Sequence, residues 1–153
     1  PALDAGTIDY DQTAAETITE LPDSLKDIAR DFYTNWFQYV NPLTDTWDFI
    51  HELKAAGCSI YLLSNASTRF AEVAKHYYPI LNEFDGIVFS APLKLAKPDP
   101  SIYQYLFNTF HLSPKDCFFL DDLMENILAG QTLGMDGIVF TGDIQAVKNA
   151  IGF

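Results

Sequence analysis

From residue 59 onward the apolar residues fall into short uninterrupted runs: 59–63, 86–89, 117–120 and 137–140. Runs of this length, bounded by Gly, Asn, Asp and Pro, predict strands buried on both faces. Between them lie stretches with helical spacing, at 68–77, 100–110 and 125–133, and a last one near 144–151. Strand, helix, strand in repetition predicts βαβ units with right-handed crossovers. The expected fold is therefore α/β, a Rossmann-like parallel sheet with helices on both faces. The segment 94–100 is the most loop-like. Pro98 pushes Lys97 out of helical conformation, and Pro100 suits the start of the next helix.

Residues 1–40 carry no strand pattern. Asp9 is placed to cap a helix through Leu21, which Pro22-Asp23-Ser24 ends. Leu25, Ile28, Ala29, Phe32, Trp36 and Phe37 then recur at helical spacing. This stripe is expected in the core; the alternative is that Trp36 and Phe37 face a substrate cleft. Asn41-Pro42-Leu43-Thr44 marks a boundary. A helix follows, with Trp47, Ile50 and Leu53 on one face and Gly57 as its stop.

Composition narrows the partners. The 153 residues are 48% hydrophobic, enough for one folded domain with a core. The net charge of −12 leaves no basic patch. Nucleic acid and an anionic membrane surface are therefore not expected partners. Cys58 and Cys117 each open an apolar run. They are expected to be buried and reduced, as suits a cytoplasmic protein. His51, His76 and His111 share no metal-ligand spacing.

The polar residues that follow the runs carry the candidate chemistry. Ser64 and Asn65 follow the first, Lys97 follows the second after a short loop, and Asp121 and Asp122 follow the third. In a parallel sheet these positions share the carboxyl edge, where open α/β sheets bind ligands. Two adjacent carboxylates repel, so a cation beside them stabilises the pair. Hard oxygen donors suit Mg²⁺, held by one or two carboxylates and a substrate phosphate. A hydroxyl, a lysine and a metal-binding acid pair together suit a phosphoryl group. Taken singly, each has a plainer reading. The acid pair can be a solvated turn capping the next helix, Ser64-Asn65 an ordinary cap, and Lys97 a loop cation in water.

In order and spacing these stretches resemble the haloacid dehalogenase-like hydrolase superfamily, in its branch with a small helical cap. The matching residues are Leu62-Leu63-Ser64-Asn65-Ala66, Ala96-Lys97-Pro98-Asp99-Pro100 with Ile102-Tyr103, and Phe119-Leu120-Asp121-Asp122 with Asn126. Phe84 to Ser90 and Leu133-Gly134-Met135 also fit. The resemblance implies a Mg²⁺-dependent phosphatase that hydrolyses a small phosphomonoester, such as a sugar phosphate, through an aspartyl-phosphate. It makes Ser64 the phosphate-binding hydroxyl with Asn65 beside it, and Lys97 the catalytic lysine of the third motif. Asp122 becomes the direct Mg²⁺ ligand, Asp121 a ligand or close neighbour of the ion, and Asn126 the residue that orients the acidic loop. It also implies that residues 1–40 are part of the helical cap and 41–153 the α/β core. The alternatives are a metal-independent haloacid dehalogenase, which has no use for the acid pair, and a non-catalytic binding or regulatory relative.

One expected element is absent. The superfamily places its nucleophile in an Asp-x-Asp motif on a first strand, and no apolar run ending in such a motif precedes Ser64. Asp4, Asp9 and Asp11 lie outside any strand-like run. The chain, which opens Pro1-Ala2-Leu3, is thus expected to start about 45 residues late by usual domain sizes. On that expectation the nucleophile lies upstream and the 153 residues alone are inactive. The missing strand belongs between those ending at Ser64 and Asp121. Its loss would leave ladder groups unpaired at about 1–3 kcal/mol each. The protein's own N-terminal segment therefore counts among the expected partners.

Overall fold

The computed structural model describes residues 2–153; Pro1, the first residue of the expected cap, lies outside them. Two helices come first, α1 (Tyr10–Glu20) and α2 (Asp23–Asn35), followed by a 3₁₀ turn, Trp36–Tyr39. Asp9 caps α1 by accepting from the Gln12 N–H at 2.7 Å. The chain then runs α3 (Thr44–Ala55), β1 (Tyr61–Ser64), α4 (Thr68–Tyr77), β2 (Gly86–Phe89), α5 (Ser90–Leu93) and α6 (Pro100–Phe110). It ends with β3 (Phe118–Asp121), α7 (Met124–Thr132), β4 (Asp136–Val139) and α8 (Ile144–Ile151). Ser67, Asp99 and Asp143 cap α4, α6 and α8 through side-chain oxygens.

The strands form two parallel pairs, β1 with β2 and β3 with β4. Their registers set Leu63 opposite Val88 and Phe119 opposite Gly137. Among the described residues no ladder joins β1 to β3. The expected single sheet is thus two halves, divided where the sequence leads one to expect another strand.

Strand alternation sorts the core. Leu63 and Val88 pack with Ile102, Tyr103, Leu106 and Phe107 of α6, in a cluster that also takes Phe119 of β3. Leu62, Ile87 and Phe89 point the other way and pack with Ala74 of α4 and Trp47 and Ile50 of α3. Helices therefore cover both faces of the β1–β2 pair.

Gly137 is needed where β3 and β4 touch. A Cβ there would lie 2.4 Å from the Phe119 carbonyl oxygen, a backbone atom that cannot swing aside. Gly137→Ala is expected to lower stability by about 1–3 kcal/mol or more. A urea melt would read this as a lower midpoint, and an unchanged midpoint would mean the strands part freely.

Three expectations are corrected. The stripe on α2 is not core: Leu25, Ile28 and Phe32 are 45%, 67% and 58% exposed. Helical spacing creates an apolar face, but among the described residues this one is left largely uncovered. Phe37, the last residue of the expected stripe, lies in the 3₁₀ turn and is buried as expected, against Tyr77 and Trp36. Second, the run at 117–120 is only partly buried, because Leu120 lies on the face opposite Phe119 and stays exposed. Third, Cys58 is exposed, because Gly57 (φ +84°) ends α3 and leaves Cys58 in a turn ahead of β1. Both cysteines are free thiols, and burial raises the Cys117 pKa. His51, His76 and His111 are all exposed. No described helix is long and apolar enough to cross a membrane.

Candidate active site

β1 and β3 end at Ser64 and Asp121, and the loop before α6 brings Lys97 between them. This lysine is not a solvated loop cation. Its side chain is 8% exposed, and Nζ donates to the Leu63 carbonyl at 2.7 Å and to Asp121 Oδ2 at 2.5 Å. One ammonium thus bridges the two strand pairs that no ladder joins. Its charge also stands 5.5 Å from the centroid of the Phe119 ring.

Asn65 holds Lys97 in place from the other side. Its Oδ1 accepts from the Lys97 N–H and its Nδ2 donates to the Lys97 carbonyl, both at 2.8 Å. A side-chain amide that pairs with both backbone groups of one residue fixes where that residue starts. The lysine head group is then aimed from a fixed base.

The two aspartates part company. Asp121 shares the Phe119 face of β3, and its side chain is 5% exposed. Its Oδ1 accepts from the Leu123 N–H at 2.9 Å and Asn126 Nδ2 at 2.8 Å. Burial works to raise its carboxyl pKa. The bonds from Lys97, Asn126 and Leu123, with the lysine charge, outweigh burial and hold it below the usual carboxylate range. Asp122, one residue past the strand, is exposed. It makes no hydrogen bond or ion pair with any described residue.

Asn126 is 3% exposed and its Oδ1 accepts no hydrogen bond among the described residues. Its backbone carbonyl takes the hydroxyl of Tyr103, which is fully buried and whose pKa burial raises. Ser64 is half-buried and its hydroxyl has no partner among the described residues. The expected residues Ser64, Asn65, Lys97, Asp121 and Asn126 thus meet at one sheet edge, with Asp122 beside them in solvent.

Ser90 was absent from the expected set, although it directly follows β2 as Asn65 directly follows β1. It is fully buried; its hydroxyl accepts from the Ala66 N–H at 2.9 Å and donates to the Asp4 carbonyl. It therefore ties the N-terminal loop to the turn after Ser64. Gly6 (φ +63°) permits that approach, since a Cβ there would lie 2.2 Å from the Ala91 carbonyl oxygen.

The donor set suits a hard cation. Asp122 offers a free carboxylate, while both oxygens of Asp121 are engaged within the protein. Among the described residues no three His, Cys, Asp or Glu side chains group as a metal cage. Mg²⁺ needs no such cage, because it keeps several waters and takes one or two carboxylates.

Comparison with known proteins gives four further findings. The chain is 31% identical over 96 residues to the sesquiterpene phosphatase astK of Aspergillus oryzae, covering 62% of this chain and 48% of that protein. It is 28% identical to a phosphoglycolate phosphatase of Psychrobacter arcticus, over 57% of this chain and 38% of that one. The chain thus spans half or less of these relatives' lengths. A HAD family enzyme of Bacteroides thetaiotaomicron, solved in complex with magnesium and inorganic phosphate, superposes with a TM-score of 0.74. That match has 24% identity over 95% of this chain and 77% of the other, and shows the shared fold. The family model for haloacid dehalogenase-like hydrolases matches residues 3–134, most of the chain, and to that family this protein belongs.

Proposed function

We propose that the complete protein is a Mg²⁺-dependent phosphatase acting on a small phosphomonoester, with residues 1–40 as part of its cap and 41–153 as its core. The observation that carries this reading is the Lys97 ammonium, buried between the ends of β1 and β3, with the Ser64 hydroxyl and Asp122 carboxylate, neither bonded to any described residue, at the same edge. The phosphatase activity named for two relatives supports it.

Each residue then has a defined task. Ser64 donates a hydrogen bond from its hydroxyl to one phosphoryl oxygen. Lys97 neutralises the charge that develops on the transferring group. Asp121 holds the Lys97 ammonium in place and, bonded to Asn126, fixes the turn that presents Asp122. Asn65 acts as a positioning residue, through the main chain of Lys97. Asp122 would hold the Mg²⁺, which when bound offsets phosphate charge and orients the phosphoryl group.

The nucleophile is assigned to a strand inserted between β1 and β3, outside the described residues. An aspartate on it would form an acyl-phosphate that water then hydrolyses. The open ladder edges of β1 and β3 and the unpaired Asn126 Oδ1 provide places for its backbone and side-chain donors. The test is phosphate release from acetyl phosphate by the full-length protein, with Mg²⁺ and after chelation. Turnover that is lost on chelation and regained on adding Mg²⁺ is expected. Turnover indifferent to chelation would overturn the metal assignment. Chloride release from a 2-haloacid with no phosphate release would overturn the phosphatase.

A further inference from the structure

A cavity of about 220 Å³ opens beside this edge, lined by Leu3, Tyr10, Phe32, Tyr33 and Trp36, with Asp4 and Ser67 as its polar members. We infer that it is the leaving-group pocket and that it takes an apolar, ring- or chain-bearing alcohol rather than a sugar. The inference rests on the phosphatase reading and names the substrate class for that site.

Three observations carry it. The first is position. Ser67 lies three residues after Ser64, so the two are within about 11 Å along the backbone. The Asp4 carbonyl is tied through Ser90 to Ala66, which closes the cavity onto the turn after β1.

The second is chemistry. Two of the three hydroxyls in the lining already hold a partner, and the rest of the wall is mostly aromatic and aliphatic. Ser67 Oγ accepts from the Phe70 N–H at 3.3 Å, and the Tyr10 hydroxyl donates to the Tyr33 carbonyl at 2.8 Å. A polyol here would trade water for aromatic faces and leave hydroxyls unpaired. An apolar group gains by the same transfer.

The third is the stance of the aromatic rings. Trp36 stacks on Phe70 at 5.6 Å, and Tyr33 stands edge-on to both Tyr10 and Phe32 at 6.0 Å. Phe32 reaches the cavity yet is 58% exposed. A large apolar ring left in water at a cavity mouth gains contact area when an apolar ligand enters.

A neighbouring cavity of about 440 Å³ shares Tyr10 and Tyr33 and contains Arg30 and Arg69. It is the weaker candidate, because both guanidiniums already face carboxylates, of Asp27 at 2.5 Å and Glu72 at 3.7 Å.

The test compares three substrates on the full-length protein. 2-Phenylethyl phosphate and glucose 6-phosphate both release a primary alcohol, so leaving-group chemistry is matched. Acetyl phosphate reports phosphoryl transfer with almost no leaving group to bind. kcat/KM for 2-phenylethyl phosphate is expected to exceed that for glucose 6-phosphate by about tenfold or more. Phe32→Ala is expected to lower the ratio of 2-phenylethyl phosphate to acetyl phosphate kcat/KM by about tenfold. Equal use of the sugar phosphate, or an unchanged ratio, overturns the pocket.

A second arm does not need catalysis. Residues 1–153 hold two tryptophans, so Trp47→Phe leaves Trp36 as the single indole among them. In that background 2-phenylethanol is expected to change Trp36 emission saturably, and Phe32→Ala to weaken the response. No saturable change, or one that Phe32→Ala leaves intact, also overturns the pocket. Failure of acetyl phosphate hydrolysis would count against the phosphatase, and the fluorescence arm would then decide the pocket by itself.

Discussion

Asp121→Asn is expected to lower stability by about 3–5 kcal/mol, the usual cost of removing one partner from a buried ion pair. The pair is buried at both ends, at 8% and 5% side-chain exposure. Two separate losses coincide. Among the described residues the Lys97 ammonium keeps the Leu63 carbonyl as its one hydrogen-bond acceptor, beside the Phe119 ring, in a place with little water. The new amide also cannot satisfy its neighbours. Its one oxygen is claimed by the Leu123 and Asn126 N–H donors, so its NH₂ must face the lysine, donor against donor.

A double variant separates the pair from its burial. Lys97→Met with Asp121→Leu removes both charges and should recover much of the loss, because an apolar pair needs no compensation. The pH dependence follows from the depressed carboxyl. Asp121 binds its proton more weakly folded than unfolded. Its contribution is therefore present above the unfolded value of ~3.9 and is lost as pH falls through the lower folded value. Urea midpoints taken from neutral pH downward should show this acid loss in the wild type and a flatter acid limb in Asp121→Asn. Equal midpoints at neutral pH would mean that the pair adds nothing to stability.

The acid region also marks where sequence reasoning reaches and where it stops. Helices at 68–77, 100–110 and 144–151 and the strand at 86–89 coincide with α4, α6, α8 and β2. Each depends on local terms: apolar period, a capping Ser or Asp, and Pro at a helix start. The convergence of Ser64, Lys97 and Asp121 was legible too, because parallel strands put their carboxyl ends on one edge. What was not legible depends on partners distant in the chain. The stripe on α2 gives the face but not what covers it, and Leu25, Ile28 and Phe32 stand in water. Asn65 reads as a substrate ligand beside Ser64, yet its amide is taken up by the backbone of a residue 32 positions away. Asp121 and Asp122 look alike in sequence. Their difference comes from strand alternation, which puts Asp121 on the Phe119 face above the lysine and leaves Asp122 past the end of β3.

That difference predicts an opposite signature for the second aspartate. Asp122→Ala is expected to leave the urea midpoint where it is, since the side chain is exposed and bonds to no described residue. It should nonetheless cut Mg²⁺-dependent turnover of the full-length protein by at least about 10²–10³-fold, the range for losing one electrostatic partner of a transition state. Asp122→Asn keeps a neutral oxygen donor without the charge. Its loss should be smaller at saturating Mg²⁺ and its half-saturating Mg²⁺ concentration higher. An alanine variant cannot be rescued by metal in this way, because it offers no donor at all. Near-normal turnover of Asp122→Ala at moderate Mg²⁺ would remove Asp122 as the ligand. The metal would then have to take Asp121, which requires breaking the Lys97 bond, and the urea midpoint of the wild type would become Mg²⁺-dependent while that of Asp121→Asn would not. The two adjacent carboxylates therefore test each other: one should matter for folding at any metal concentration, the other only when the metal is at work.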